Sequence, residues 1–295
     1  MISTVESLDK AMVDLQIATG NTRKEMSKSV SEYNKIAMEM GRTTQEVMTA
    51  ANDWLRAGFN TEDTNILVQE SMKLSTLGMI DAAKATEYLI STMKGWKISA
   101  EDMGEVVDEL TNLDMEYATS AGEIAQAMAK ANVSASLAGV NRQQYEAMLT
   151  AVMDVGQQGA DVVGTAFKTL FSRYGNVKAG KYAKTYTGDG DSEDIGSVTA
   201  LNDTEVVLNK IGIQTRSTVG EFRDMYEVLK EISNKWHTMD EITQNAISTA
   251  LGGTRQREVL NTLFENWDSV EKGEEIIAQS EGTADKKMDI YEDSI

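Results

Sequence analysis

The sequence predicts an all-α protein, a multi-helix bundle of short to medium helices with one long polar loop. Apolar residues recur at spacings of three and four along most of the chain, which is the helical period. Capping residues precede these runs and glycines follow them, whereas alternating β-branched runs typical of strands are almost absent. Aromatic residues make up only 6% of the chain while methionine occurs 17 times, which favours pliable helix packing over an aromatic β-core.

Two apolar stripes predict the first two helices. The first stripe consists of Val5, Leu8, Met12 and Leu15, and the second of Met26, Val30, Tyr33, Ala37 and Met40. The first run stops at Gly20 and the second at Gly41, because glycine suits the left-handed residue that commonly ends a helix.

Later helix starts carry capping boxes or close variants, in which the first side chain accepts a hydrogen bond from an amide of the first turn. These pairs are Thr43…Glu46, Asn60…Asp63, Ser99…Asp102, Ser120…Glu123, Asn141…Gln144 and Thr238…Glu241. The predicted helix ends after apolar runs are Gly58, Gly78, Gly95 and Gly139. Together these signals predict helices of two to four turns joined by short loops.

The clearest single helix is predicted between Gly159 and Gly175. Phe167 and Phe171 lie on its apolar face, and Gly164 would let a second helix approach closely. Residues 178–203 are polar, contain glycine and have no apolar period, which predicts a long loop. The helical pattern resumes at Thr204.

Composition restricts the classes of partner and site. The chain has 47 acidic and 28 basic residues and a net charge of −19, so direct nucleic-acid binding is not expected. No apolar run reaches the roughly 18 residues of a membrane span, and the N-terminus lacks the pattern of a signal peptide. Cysteine is absent, which excludes disulfides and thiol chemistry.

The sequence gives only weak evidence for a catalytic or metal-binding site. His237 is the single histidine and is expected at a helix end, where a cation suits the helix dipole. The acidic stretch around Asp189 and Asp191 begins like a calcium loop, but Asp194 and Ala200 stand where glycine and glutamate are needed. We therefore predict no catalytic residues, no metal site and no cofactor, and we expect that the protein is not an enzyme.

The most distinctive segment is LGGTRQRE, in which a small basic cluster follows two glycines. Its candidate structural or interaction residues are Gly252, Gly253, Thr254, Arg255, Gln256, Arg257 and Glu258. Thr254 is expected to cap the helix that the glycines introduce. The two arginines are expected to form charge-assisted bonds inside the bundle or to a neighbouring subunit. The segment is thus predicted to be a tight helix corner, with a docking patch as the functional alternative.

Four collinear stretches carry a resemblance to a known family. The run ALGGTRQREVLNTLFENWD resembles a segment of phage tail tape measure proteins. The block from Ser120 to Gly175, which ends in the arginine–aromatic pair Arg173-Tyr174, is similar to the most recognisable block of that family. KIGIQTRSTVGEFRDMYEVLKEISNKW and SEGTADKKMDIYEDSI resemble the blocks that follow. The resemblance spans Lys24 to Ile295.

The resemblance implies a structural and assembly protein of the virion tail, located in the tube lumen or at the tail tip, and in the host cytoplasm during assembly. Such proteins organise assembly of the tail tube, set its length and leave the tail ahead of the DNA. The implied partners are the tail tube protein, tail assembly chaperones, tail-tip (distal tail) proteins and further copies of the chain.

The resemblance and the helix pattern together suggest five regions. Residues 1–23 are an N-terminal helical arm, 24–177 the first helical part, 178–203 the polar loop, 204–281 the second helical part, and 282–295 the start of a helix leading into a missing C-terminal region.

Two alternative functions stay open. A membrane-active module that contacts the host membrane after ejection would use Ala131–Val140 or Val162–Phe171, although both are too short to span a bilayer. A glutamate-dependent cell-wall hydrolase has no sequence signature in its favour.

Overall fold

Amphipathic segments form helices throughout the part of the chain that the computed structural model describes, which is residues 2–156, 158–175, 203–218 and 221–293. The prediction of an all-α bundle is confirmed. The predicted loop at 178–203 lies outside the described residues, except for Asp203, which begins a helix.

The elements follow one another along the chain with short connections. The first eight helices are α1 (Ile2–Thr19), α2 (Arg23–Glu39), α3 (Thr44–Arg56), α4 (Thr61–Leu77), α5 (Ala82–Trp96), α6 (Met103–Glu116), α7 (Ala121–Ala129) and α8 (Asn132–Leu137). The next elements are α9 (Arg142–Gly156), α10 (Ala160–Tyr174), α11 (Asp203–Lys210), β1 (Arg216–Thr218), β2 (Glu221–Phe222), α12 (Met225–Trp236), α13 (Glu241–Gly252), α14 (Arg257–Glu265), α15 (Trp267–Ile277) and α16 (Thr283–Glu292).

The chain forms two compact units, Met1–Asn132 with Gly273–Ile295, and Val133–Lys272. These divisions fall inside α8 and α15 and differ from the boundaries expected at 178–203 and 281. The sequence pattern could not show this, because a helix that passes from one unit to the next has no break in its period.

The first unit is built around α3. This helix packs against α1, α2, α4 and α5, and the indole of Trp54 is fully buried. The indole Nε1 donates a hydrogen bond of 2.9 Å to Oγ of Ser71, so its polar atom is satisfied inside the core. Because α1 packs on α3 through Ala11 and Leu15, the expected N-terminal arm is part of this unit.

Helix α16 completes the first unit through the buried side chains of Ala284 and Met288 and through polar contacts. The carboxylate of Asp108 accepts hydrogen bonds of 2.8 Å from the backbone amides of Gly282 and Ala284, and thus caps the start of α16. Nζ of Lys73 lies 2.9 Å from Oε1 of Glu70 and 2.7 Å from Oδ1 of Asp285, which joins α4 to α16.

The second unit contains a two-stranded antiparallel sheet that sequence reasoning missed. Arg216 pairs with Phe222 and Thr218 pairs with Glu221, with an irregularity in the register between the pairs. The strands have only three and two residues, too few to display an alternating pattern in the sequence.

Most predicted helix starts are confirmed. Thr43 and Ser120 form complete capping boxes, Asn60 caps α4, and Asn141 exchanges two hydrogen bonds with Gln144. Two positions were wrong. Helix α6 has Asp102 at its N-cap in place of Ser99, and α13 has Asp240 in place of Thr238, because the carboxylate of Asp240 accepts from the amide of Thr243.

The predicted helix ends met mixed outcomes. Gly58 and Gly139 have positive φ angles of 103° and 82°, as expected of glycine at a helix end. Gly95 lies inside α5, which ends instead with Lys97 in the left-handed region at φ 57°. Gly78 ends α4 at φ −82°, so it is not a left-handed cap.

Candidate interaction site

The basic segment forms a tight corner between α13 and α14. Helix α13 ends at Gly252, and the amide of Gly253 donates to the carbonyl of Thr249 at 2.8 Å with φ at 75°. One further turn follows, in which the amide of Gln256 donates to the carbonyl of Gly253 at 3.3 Å. Helix α14 therefore starts at Arg257 with Gln256 at its N-cap, and the expected cap at Thr254 was wrong.

The two glycines are needed for different reasons. A Cβ atom at Gly252 would lie 2.7 Å from Cδ1 of Leu260, so the absence of a side chain lets α14 pack directly on the end of α13. Gly253 adopts a positive φ, and a Cβ there would lie 3.0 Å from Nη2 of Arg173. Both glycines thus determine how closely the neighbouring side chains approach the corner.

Arg173 of α10 completes the end of α13. Its Nη1 donates hydrogen bonds of 3.3 Å to the carbonyls of both Thr249 and Ala250, and Oγ1 of Thr204 donates to the same Ala250 carbonyl at 3.1 Å. These carbonyls lie in the last turn of α13, where helix geometry leaves acceptors free and a cation is favoured. The contribution of Thr204 could not be predicted, because it is 46 residues from its acceptor.

The arginines of the basic segment are solvent-exposed. In the described part of the chain, Arg255 and Arg257 form neither an ion pair nor a hydrogen bond through their side chains, and Thr254 and Glu258 are exposed as well. The expectation of bonds inside the bundle was therefore wrong, because the buried face of α14 begins only at Val259. Contact of these arginines with a neighbouring subunit stays a prediction.

The predicted aromatic residues of α10 belong to the core beneath this corner. Phe167 and Phe171 are buried against Tyr145 of α9, with ring centroids 5.8 and 5.4 Å from the tyrosine ring. Gly164 is buried in the same helix. Since α10 packs against α13, this core sets the position from which Arg173 reaches the carbonyls.

A buried ion pair lies elsewhere in the second unit. Glu205 of α11 is only 1% exposed and accepts from Nη2 of Arg216 at 2.9 Å and from Oγ1 of Thr215 at 3.2 Å. The hydrogen bond to Glu205 raises the pKa of Arg216 above its usual value, and the guanidinium lies 5.4 Å from the ring centroid of Phe222. Glu205 thus has Thr215 as a second partner and Arg216 has the ring of Phe222, and the ion pair joins α11 to the small sheet.

Candidate chemical sites are few among the described residues. His237 follows the end of α12 as predicted, and its Nδ1 lies 3.6 Å from Oε1 of Glu265, with both side chains exposed. No cluster of three or more potential metal ligands occurs in the ranges described. None of the helices in those ranges has the length and apolar character needed to cross a membrane. The acidic stretch at Asp189 and Asp191 lies outside them.

The chain matches a known protein family. A model of the family described as "Phage-related minor tail protein" matches residues 34–253, about three quarters of the chain. The matched region extends from within α2 to Gly253, the residue after α13, so it includes Arg173 and the carbonyls that this side chain binds. No solved structure matches the chain.

Proposed function

The chain belongs to the phage-related minor tail protein family, and we propose that it is the helical domain of a tail tape measure protein. Membership supports a structural role in the phage tail. The proposal adds that the protein organises assembly of the tail tube, takes part in setting its length and is ejected ahead of the DNA. The family match over residues 34–253 carries the proposal, and the four collinear sequence blocks that resemble tape measure proteins support the finer assignment.

The short helices indicate that this region is a folded unit and not the extended segment that sets the length of the tail. A continuous helix of this chain would be about 440 Å long at a rise of about 1.5 Å per residue. The longest described helix, α1, has 18 residues, and the helices pack into two compact units. We infer that the length-setting part lies mainly outside this region, which instead provides contacts for assembly, packing or attachment at the tail end.

The proposed partners are other tail components. They are the tail tube protein, tail assembly chaperones, tail-tip proteins and further copies of the chain, and the proposed location is the tube lumen or the tail tip. The proposed role is non-catalytic. Among the described residues, no observation favours the membrane-active or hydrolase alternatives over this role.

The test is deletion of the encoding gene in the phage or prophage that carries it. Tails would be purified, analysed by mass spectrometry for peptides of this chain, and measured by electron microscopy. We expect these peptides in wild-type tails, and we expect the deletion to give no tails or tails of irregular length, with the intact gene in trans restoring uniform length. Tails that lack the chain, or uniform tails of normal length after deletion, would refute the proposal.

A further inference from the structure

We propose that the exposed face of α13, together with Arg255 and Arg257, is a docking surface for the acidic surface of a second copy of this chain. The α13 face is the stripe of exposed and half-buried residues Ile242, Asn245, Ala246 and Thr249, whose spacings of three and four place them on one side of the helix. The inference does not depend on the tape measure assignment.

The α13 face is unusually poor in charge for a surface helix. The 13 residues from Ile242 to Thr254 contain no charged side chain, although charged residues make up 25% of the chain. A solvent-facing helix ordinarily carries its charged residues on the side away from the core. On α13 the single charged residue is Glu241 in the first turn, while the side chain of Ile242 beside it is 83% exposed. Depletion of charge around an exposed apolar residue is characteristic of the core of a protein interface.

Two arginines directly follow this uncharged face. Arg255 and Arg257 are exposed and, in the described part of the chain, their side chains bond to no other residue. They also lie at the start of α14, where the helix dipole disfavours cations, and only Glu258 in the same turn offsets this. Their position therefore does not stabilise the isolated chain. Arginine beside an uncharged surface is, in contrast, common among the residues that dominate binding energy at interfaces.

The corner that presents the arginines is preorganised. Gly253 is held at a positive φ angle, and Arg173 binds the last carbonyls of α13. A guanidinium that starts from an ordered backbone loses less entropy when it binds than one on a disordered segment. The geometry thus favours a defined protein contact over a solvated pair of charges.

Charge complementarity identifies the partner as a second copy. The chain has 47 acidic and 28 basic residues and a net charge of −19, so a second copy offers an excess of the negative side chains that the two arginines attract. The contact therefore pairs the arginines of one copy with acidic side chains of the other.

The test measures the mass of the full chain in solution by light scattering at roughly 50 and 500 mM salt, where screening differs strongly. The double variant Arg255→Glu/Arg257→Glu reverses the charge of the surface. Ile242→Glu disrupts the uncharged face separately. The matched control is Lys84→Glu/Lys94→Glu, the same change of charge at two exposed lysines of α5.

We expect the wild-type chain and the lysine control to form a multimer at low salt that weakens at high salt. The arginine and Ile242 variants should need at least about 10-fold higher concentration to associate. At protein concentrations where every variant is monomeric, their melting temperatures should not fall below that of the wild type, because all three residues are exposed. A wild-type chain that is monomeric at every concentration, or variants that associate like the wild type, would overturn the proposal. So would arginine-dependent binding to a different acidic tail protein without self-association.

Discussion

Gly122→Ala tests how the close contact between α4 and α7 is formed. Gly122 lies in the first turn of α7, where alanine has the better helix propensity, so substitution there would ordinarily stabilise the helix by about 0.5–1 kcal/mol. In this structure a Cβ atom at Gly122 would lie 2.6 Å from the carbonyl oxygen of Gly78 and 2.6 Å from Cγ2 of Ile80. The carbonyl belongs to the backbone at the end of α4, so it cannot move aside as a flexible side chain could.

The steric effect should exceed the gain in propensity. Forcing an extra methyl group into a packed site costs about 1–3 kcal/mol, so the net expectation is a loss of about 1–2 kcal/mol. For a unit of this size, that corresponds to a fall in melting temperature of about 2–8 °C. Circular dichroism during thermal and urea unfolding measures the change.

Gly104→Ala is the matched control. Gly104 lies in the first turn of α6 in the same unit, and the nearest atoms to a Cβ there belong to the carboxylate of Glu70 at 3.9 Å. Here the methyl group enters ordinary contact distance, so stability should stay equal or rise by up to about 1 kcal/mol. If Gly122→Ala were as stable as the wild type or more stable, the two helices would not be in the contact described.

Three further predictions concern polar groups. Asn132→Ala should lower the free energy of unfolding by about 2–3 kcal/mol, as measured by urea titration. The buried side-chain amide of Asn132 accepts a hydrogen bond from Nε1 of Trp96 at 2.8 Å and donates to two hydroxyls. A loss below about 0.5 kcal/mol would contradict this prediction. Arg173→Ala should cost about 1 kcal/mol and speed amide exchange at the end of α13, while Arg173→Lys should recover part of the loss; unchanged exchange would show that the two carbonyl bonds contribute nothing. Burial raises the pKa of Glu70 above its ordinary value of 4.5 against the opposing effect of Lys73, so the folded state binds this proton more tightly than the unfolded state. The stabilisation that comes from binding this proton is complete at pH values below the ordinary pKa of 4.5, and it is lost as pH rises through the pKa of the folded state. Glu70→Gln should therefore become more stable relative to the wild type as pH rises above about 4.5, and equal pH dependence of the two proteins in urea unfolding would refute the assignment.

Capping residues and glycines predicted helix ends correctly where the end is determined by residues close by in the sequence. Helix α10 runs from Ala160 to Tyr174 between the two glycines that predicted its ends, and Thr43 and Ser120 cap the helices expected of them. The error at Thr238 arose because the nearby Asp240 caps α13 instead, whereas α6 begins after Asp102 without a side-chain capping bond. Competition between caps a few residues apart depends on the path of the preceding loop, which the local sequence does not specify.

The candidate site was located from sequence, but the roles of its residues were not. The pair Gly252-Gly253 marked the corner correctly. The sequence could not show that the arginine bonding the end of α13 is Arg173, 76 residues before its acceptor Thr249, and not one of the two arginines beside the turn. Nearness along the chain favoured Arg255 and Arg257, whereas the packing of α10 against α13 decided the partner.

By itself the sequence determined the all-α class, the positions of most helices and the tail family, because helix period, capping and family motifs are all properties of neighbouring residues. Tertiary structure alone decided that the chain forms two units divided inside helices, and that Asp108 caps a helix 174 residues away. It also left Arg255 and Arg257 exposed on the surface. These outcomes depend on which helix faces are buried against each other, and burial is settled only when distant segments pack together.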